Sequence, residues 1–183
     1  HAGNALAQFT QLSIKIRELS SEQIPWPQLS YALHIKNPAE DALYLVQLDA
    51  IGLFQAQVWL LLDESAAQIL VTALLGEPSP QPLDDIGRSA LGEIGNILGT
   101  AFLNVFADAF QQRWEPSPPH ISYGILWDLM TTQLPNVDPT TAILVSQALF
   151  SIDNQPTNGY LVVVPIGTSP SSTVSQHKGE QVK

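Results

Sequence analysis

The sequence predicts an α+β fold in which long helices pack on a mostly antiparallel β-sheet. Helical periodicity covers about residues 84–112, and a shorter helical pattern covers 64–76. The segments on either side of these helices alternate apolar and polar residues or form short apolar runs, which is typical of strands. Turn-rich breaks separate neighbouring strand segments, so an antiparallel sheet with helices packed on it is the expected arrangement.

The elements are predicted in two series. A helix end at 3–12 is followed by strands at 13–19, 29–36, 42–48 and 51–63 and by the helix at 64–76, which starts with an acidic residue and ends at a glycine. The second series has the helix at 84–112, which Asp84 and Asp85 open, a helix at 121–134, and closing strands at 141–153 and 160–167. The prolines after position 115 end the long helix, because proline cannot continue it.

Both series begin with a helix that contains the letters GN, so two related halves are expected. The chain has 183 residues and is 45% hydrophobic, enough for one compact domain or two fused halves with a shared core. We therefore predict a domain over residues 1–167, with halves at about 1–80 and 81–167. Residues 168–183 are polar and lack periodicity, so they are predicted to form a mobile tail.

Charge and composition exclude several classes of function. Acidic residues outnumber basic ones by 17 to 7, and the net charge is −10. This charge disfavours nucleic acids and anionic membrane surfaces as partners, because both require a basic face. The chain has no cysteine, which removes thiol chemistry, and its four histidines lack the spacing of metal ligands. No apolar run reaches the length of a membrane span, and the N-terminal residues lack a secretory pattern, so a cytoplasmic protein is expected.

The long helix carries a polar stripe that its apolar surroundings do not explain. At about 100° per residue, Ser89, Glu93, Asn96 and Thr100 fall within an arc of about 60°. A set of apolar residues that includes Ile94 and Leu98 centres roughly 140° away and is the predicted core face. Polar pairs on helices are usually just solvated, so Glu93 and Asn96 alone would not indicate a function.

Three glycines form a third face of the same helix. Gly92, Gly95 and Gly99 each cost about 1 kcal/mol of helix stability relative to alanine. Their clustering on one face suggests that something approaches the backbone closely, either a neighbouring helix or a partner protein. For this reason the three glycines, together with Thr100, are predicted to contact a partner.

The polar residues complete a longer pattern that resembles a known family. Ser89-x3-Glu93-x2-Asn96-x22-Pro119 matches the motif [DS]-x3-E-x2-N-x22-P of the CheC/CheX/FliY family of chemotaxis phosphatases. The surrounding stretch SALGEIGNILGTAFLNVFADAF is similar to the helix of the family's second half. The stretches GNALAQFTQLSIKI and AILVSQALFSI…GYLVVVP extend the resemblance over nearly all of residues 1–167.

The resemblance implies a phosphatase that acts on an aspartyl-phosphorylated response regulator of the CheY type. It assigns to Glu93 a docking contact with the regulator's lysine, and to Asn96 the positioning of the attacking water. Ser89 and Pro119 would support the motif without taking part in the chemistry. No cofactor is expected in this chain, because the Mg²⁺ of the reaction would lie in the regulator. Family members also bind the deamidase CheD, a partner for which the sequence contains no diagnostic motif.

The number of active sites depends on how the first half is aligned with the family. In one register the first Glu/Asn pair lies upstream of residue 1. In a competing register Asn4-x22-Pro27 repeats the spacing of Asn96 and Pro119, and His1 occupies the glutamate position. The first register is preferred because the strand SIKI then follows the helix as in the family. Both registers predict one working site, on the helix at 84–112.

Two other functions compete with the phosphatase. One is a non-catalytic docking module of the same fold, which binds a response regulator, CheD or a component of the flagellar switch. The other is an unrelated ligand-binding domain, which a closed apolar pocket away from the long helix would favour.

Overall fold

The structure is a computed structural model, and it describes residues 14–33, 35, 40–52, 55–110, 113–134, 137–138, 140–152, 155–157 and 159–166. The predicted helix end at 3–12 and the predicted tail at 168–183 lie outside these residues. None of the helices in the described part of the chain is long and apolar enough to cross a membrane.

Eight strands and four α-helices make up the described residues. The strands are β1 (Ile14–Pro25), β2 (Ala42–Ile51), β3 (Gln55–Asp63), β4 (Glu115–Pro116), β5 (His120–Ile125), β6 (Ala142–Ile152), β7 (Gln155–Thr157) and β8 (Gly159–Ile166). The helices are α1 (Leu29–Ala32), α2 (Glu64–Leu75), α3 (Asp85–Phe110) and α4 (Leu126–Gln133), and a 3-10 turn at Trp26–Gln28 leads into α1.

All eight strands join one sheet, and every pair in it is antiparallel. The order is β1-β6-β8-β3-β2-β4, with β5 beside β4 along β2 and with β7 paired to β6. The predicted α+β class with a mostly antiparallel sheet is therefore confirmed. A strand, a short helix and two further long strands follow one another both in 14–63 and in 120–166, where the three-residue β7 lies between the last two. The relation between two halves at about 1–80 and 81–167 stays a prediction.

The sheet has a hydrophobic core on each of its faces. Side chains alternate along β2, so that Tyr44 and Val46 pack beneath α2 and α3, whereas Leu43 and Leu45 point to the opposite face. On that opposite face α1 and α4 supply apolar side chains such as Leu29 and Met130. Helices therefore cover both faces of the sheet, with the long helix α3 on one of them.

The prediction of a strand at 29–36 was wrong. Leu29–Ala32 forms the short helix α1, and the strand β1 extends to Pro25, beyond the end at residue 19 that the sequence predicted. Leu29, Ala32 and Leu33 are buried, and this i, i+3, i+4 spacing is the helical one. The apolar run there was too short for its periodicity to separate the two possibilities.

The predicted helix at 121–134 was wrong in its first part. His120–Ile125 forms β5, which pairs with β2 from Gln47 to Ala42, and the helix begins only at Leu126. Local sequence cannot reveal this pairing, because the partner strand lies about 75 positions earlier in the chain. The strand β5 brings its residues against the long helix and so contributes to the candidate site.

The long helix α3 is close to its predicted length. It runs from Asp85 to Phe110, and the Asp84 carboxylate caps it by accepting a hydrogen bond from the Gly87 N–H at 2.8 Å. The loop before α3 is anchored to the sheet, because the hydroxyl of the buried Tyr44 accepts a hydrogen bond of 2.8 Å from the Leu83 N–H. The start of α3 is therefore fixed to both the loop and the sheet.

Candidate functional site

The predicted polar stripe of α3 faces away from the core. Ser89 and Glu93 are exposed, and Asn96 and Thr100 are half-buried. Asn96 lies three residues after Glu93, so the two side chains are neighbours on the helix surface. The helix thus presents a carboxylate and a carboxamide side by side to the solvent.

The opposite side of α3 packs into the core, as its apolar pattern predicts. Ile94 and Leu98 are fully buried and Ala90 nearly so, while Leu91, on the side towards the glycines, is also fully buried. This packing fixes the rotation of the helix about its own axis. The side of α3 from which Glu93 and Asn96 project is therefore fixed.

The predicted partner contact at the three glycines is corrected by the structure. Gly92, Gly95 and Gly99 are buried against the sheet of the same chain. A Cβ atom on Gly95 would overlap Val46 Cγ1, and one on Gly99 would lie 2.7 Å from Leu48 Cδ1. The close approach that the glycines permit is therefore that of α3 to β2, which leaves them no surface for a partner.

Pro119 lies against the helix beside the polar pair. A Cβ atom on Gly92 would be 3.7 Å from Pro119 Cγ and 3.0 Å from Ile121 Cδ1, so the segment before and into β5 packs directly on α3. The motif proline and the motif helix are thus in contact across the chain. Pro27 has no such place, because it lies in the 3-10 turn after β1, whereas Pro119 precedes β5. Pro27 and Pro119 therefore occupy different places in the fold, and His1 and Asn4 of the competing register lie outside the described residues.

Arg88 joins the same two elements, a contact that the sequence analysis missed. Its Nη2 atom donates a hydrogen bond of 2.8 Å to the carbonyl oxygen of Ile121, one turn before Gly92 along the helix. The available signal was that Arg88 is the one basic residue within 84–112 in the sequence. The hydrogen bond from Arg88 and the packing at Gly92 together hold the segment of Pro119 in place.

A cleft lies away from the polar stripe, at the start of α2. It has a volume of about 610 Å³, and its walls carry the carboxylates of Glu40, Asp41, Asp63 and Glu64. The Tyr123 hydroxyl donates a hydrogen bond to Glu64, which raises the pKa of Tyr123 to about 12. Neither Glu93 nor Asn96 lines this cleft. Its walls combine the four carboxylates with apolar side chains such as Leu33 and Leu61, so it differs from the closed apolar pocket that would favour an unrelated ligand-binding domain.

Metal-ligating side chains do not cluster in the described residues. Among them, no three His, Cys, Asp or Glu side chains are placed so that they could hold a metal ion. The Asn96 amide can donate and accept hydrogen bonds, and the Glu93 carboxylate can pair with a positive charge.

Comparisons with known proteins identify the same helix and the same fold as similar to a known family. Residues 86–123, which contain Glu93, Asn96, Pro119 and most of α3, match the model of the CheC-like family. The fold is similar to that of FliY from Thermotoga maritima, with a TM-score of 0.69, 17% identity, and coverage of 90% of this chain and 82% of that one. The resemblance predicted from the sequence is thus confirmed by the matched segment and by the fold.

Two other solved structures share the fold. The FliM middle domain from H. pylori has a TM-score of 0.65 at 12% identity, over 90% of this chain and 83% of that one. CheX from Borrelia burgdorferi, solved in complex with CheY, BeF₃ and Mg²⁺, has a TM-score of 0.55 at 16% identity, over 91% of this chain and 93% of that one. The solved structures that share this fold therefore include one in complex with CheY.

Proposed function

With a CheC-like segment on a CheC-like fold, we propose that this chain is a phosphatase of an aspartyl-phosphorylated, CheY-like response regulator. The observation that carries the proposal is that the exposed Glu93 and the half-buried Asn96 lie side by side on a helix whose opposite side is packed into the core. This pair is the complete chemical part of the motif.

Asn96 is the residue that positions the attacking water. Its amide both donates and accepts hydrogen bonds, so it can orient a water molecule in line with the bond between phosphorus and the aspartyl oxygen. The water oxygen bonds to phosphorus as the bond between phosphorus and the aspartyl oxygen breaks. The electron pair of the broken bond regenerates the partner's carboxylate, and both protons of the water leave with inorganic phosphate. Holding the water in place reduces the entropic cost of bringing the reactants together. The reaction's Mg²⁺ belongs to the partner's phosphorylation site.

Glu93 supplies the docking contact. Its exposed carboxylate lies beside Asn96 and can pair with a lysine at the regulator's active site. The chain's net charge of −10 favours a partner with basic groups at the contact. Ser89 and Thr100 extend the same stripe above and below the pair, and Pro119 supports the helix from the side.

The test compares Asn96→Ala with Asn104→Ala, another asparagine of α3 that is exposed two turns away. Decay of the phosphorylated regulator is measured with each protein. Asn96→Ala is expected to lose the acceleration, by a factor of about 10² or more if water positioning is the main contribution. Asn104→Ala is expected to match the unmodified protein. Full activity in Asn96→Ala would refute the assignment.

A non-catalytic docking module is the second candidate, and one observation favours it. The TM-score to the FliM middle domain, 0.65, is higher than the score of 0.55 to CheX. In that case the chain would bind a regulator, CheD or a flagellar-switch component without hydrolysis. Binding of the phosphorylated regulator with no change in its rate of decay would support this candidate over the phosphatase.

A further inference from the structure

Ile86 is an apolar side chain that the fold leaves in solvent. It lies in the first turn of α3, and 66% of its surface is exposed. The turn itself is fixed by the Asp84 cap on the Gly87 N–H, so Ile86 has a defined position although it packs little against the described residues. A large aliphatic group held in solvent at a fixed position is suited to contact another molecule.

Ile86 belongs to the same helix face as the candidate site. It precedes Glu93 by seven residues, or two turns, so the two side chains point within about 20° of each other and lie about 10 Å apart along the axis. Ile97, which is half-buried, follows Glu93 by four residues on the same side. Along the helix, Glu93 therefore lies between two isoleucines on one side of α3, with Asn96 beside it.

We propose that Ile86 is the apolar anchor of the surface on which the response regulator docks, an inference that rests on the proposed function. The occupant is the regulator because the surface is continuous with Glu93 and Asn96, and a regulator engaged at that pair also covers the helix toward Ile86. Exposed carboxylates at Asp85 and Glu93 flank the isoleucine and match a partner with basic residues around an apolar one. An apolar anchor with a polar rim is the usual anatomy of such a contact.

The position of the anchor predicts a specific kinetic effect. Ile86 is about 10 Å from Glu93 along the helix, too far to touch the reacting phosphoryl group. It therefore contributes equally to the ground state and the transition state, and its removal should raise KM while kcat stays the same. A variant that disturbed the fold of the site would lower kcat as well.

The experiment compares Ile86→Ser with Ile51→Ser. Ile51 is the matched control because 61% of its surface is exposed and it ends β2, where the alternation from the buried Ala50 directs it away from the face of α3. Binding is measured with a CheY-like regulator that carries BeF₃⁻ and Mg²⁺, and KM and kcat are measured with the phosphorylated regulator. Ile86→Ser is expected to raise Kd and KM about tenfold at constant kcat. Ile86→Leu is expected to restore both, and Ile51→Ser to change neither.

Each outcome separates the anchor from the chemistry. Unchanged Kd in Ile86→Ser, with hydrolysis intact, overturns the anchor and leaves the phosphatase proposal standing. A fall in kcat at unchanged Kd overturns the anchor as well. If the unmodified chain binds without hydrolysis, the phosphatase proposal fails, and the Kd of Ile86→Ser still supports or refutes the anchor. An unmodified chain that neither binds nor hydrolyses the regulator overturns both.

Discussion

The guanidinium of Arg88 and the carbonyl oxygen of Ile121, 33 positions apart in the chain, are joined by a hydrogen bond of 2.8 Å. This bond connects the long helix to the strand that follows Pro119. The strand in turn pairs with β2, on which the helix rests through Gly95. Helix, edge strand and central strand thus form a closed set of contacts around the base of the candidate site.

Arg88→Ala is expected to destabilise the protein by about 1.5–3 kcal/mol, the usual contribution of a hydrogen bond from a charged group. The half-buried carbonyl of Ile121 would lose its partner, and the segment of Pro119 would be held less tightly against α3. Urea denaturation measures the loss, with the exposed Arg113→Ala as the control. Equal midpoints for the two variants would show that the bond contributes nothing.

Gly95→Ala is expected to lower the free energy of unfolding by about 1 kcal/mol. The new Cβ would overlap Val46 Cγ1 and lie 3.0 Å from Val46 Cβ, in the centre of the sheet where nothing can yield. The overpacking cost of about 1–3 kcal/mol exceeds the gain in helix propensity of about 1 kcal/mol.

Gly92→Ala is the matched control for that change. Its Cβ would meet the terminal Cδ1 of Ile121 at 3.0 Å, and a methyl at the end of a flexible side chain can move aside. Thermal or urea unfolding should therefore show little change for Gly92→Ala. A Gly95→Ala protein as stable as its Gly92→Ala counterpart would contradict the close packing of α3 on β2.

The free energy of unfolding is expected to fall as the pH rises from about 10 to about 12, because of the raised pKa of Tyr123. The hydrogen bond to Glu64 raises the pKa of Tyr123 from 10.0 to about 12 in the folded chain. Above pH 10 the unfolded chain releases this proton while the folded chain retains it, so the free energy of unfolding decreases until the folded pKa is passed. Below pH 10 both states are protonated and the contribution is constant.

Tyr123→Phe removes this dependence and is compared by urea denaturation at several pH values from 9 to about 12. Tyr31→Phe, which alters a tyrosine with 84% of its surface exposed, is the control. The slope of stability against pH should be shallower in Tyr123→Phe than in either the unmodified chain or Tyr31→Phe. Identical slopes in all three would mean that the contact with Glu64 does not form.

The double variant Glu93→Ala/Asn96→Ala is expected to leave the regulator to decay at its spontaneous rate. Both registers of the first half predict a single working site, and this variant removes its docking group and its water-positioning group. Glu77→Ala/Asn104→Ala removes an exposed carboxylate and an exposed asparagine from other positions and should keep full activity. Substantial residual hydrolysis in the first variant would demonstrate a second site in the chain.

The sequence was sufficient for the parts of the fold that repeat one period over many residues. The apolar period of α3 placed Ile94 and Leu98 in the core and Glu93 in solvent, as the structure has them. The sequence was insufficient where strand pairing between distant segments determines the secondary structure. Tyr123 lies in a strand because its segment pairs with β2. Leu29 lies in the helix α1 and Leu33 directly follows it, because the helical spacing lets both side chains pack in the same core on one face of the sheet.

The candidate site was predicted in its residue types and only partly in its surroundings. Spacing identifies Glu93, Asn96 and Pro119 as a set, but it does not reveal that Arg88 bonds to Ile121 or that Ile86 remains exposed. The glycines show the limit of the method most directly. A helix face made of glycines indicates that another group approaches the helix backbone closely. Only the folded structure identifies that group as side chains of β2.

The burial of α3 on its apolar and glycine sides has a consequence for the energetics of recognition. The helix that displays Glu93 and Asn96 also completes one of the two cores through Leu91, Ile94 and Leu98. Opening the site locally would therefore require breaking that core, so amide exchange along its buried turns should approach the rate set by global unfolding. A partner that docks here meets a surface already ordered during folding, and the entropic cost of association falls on the partner's own side chains.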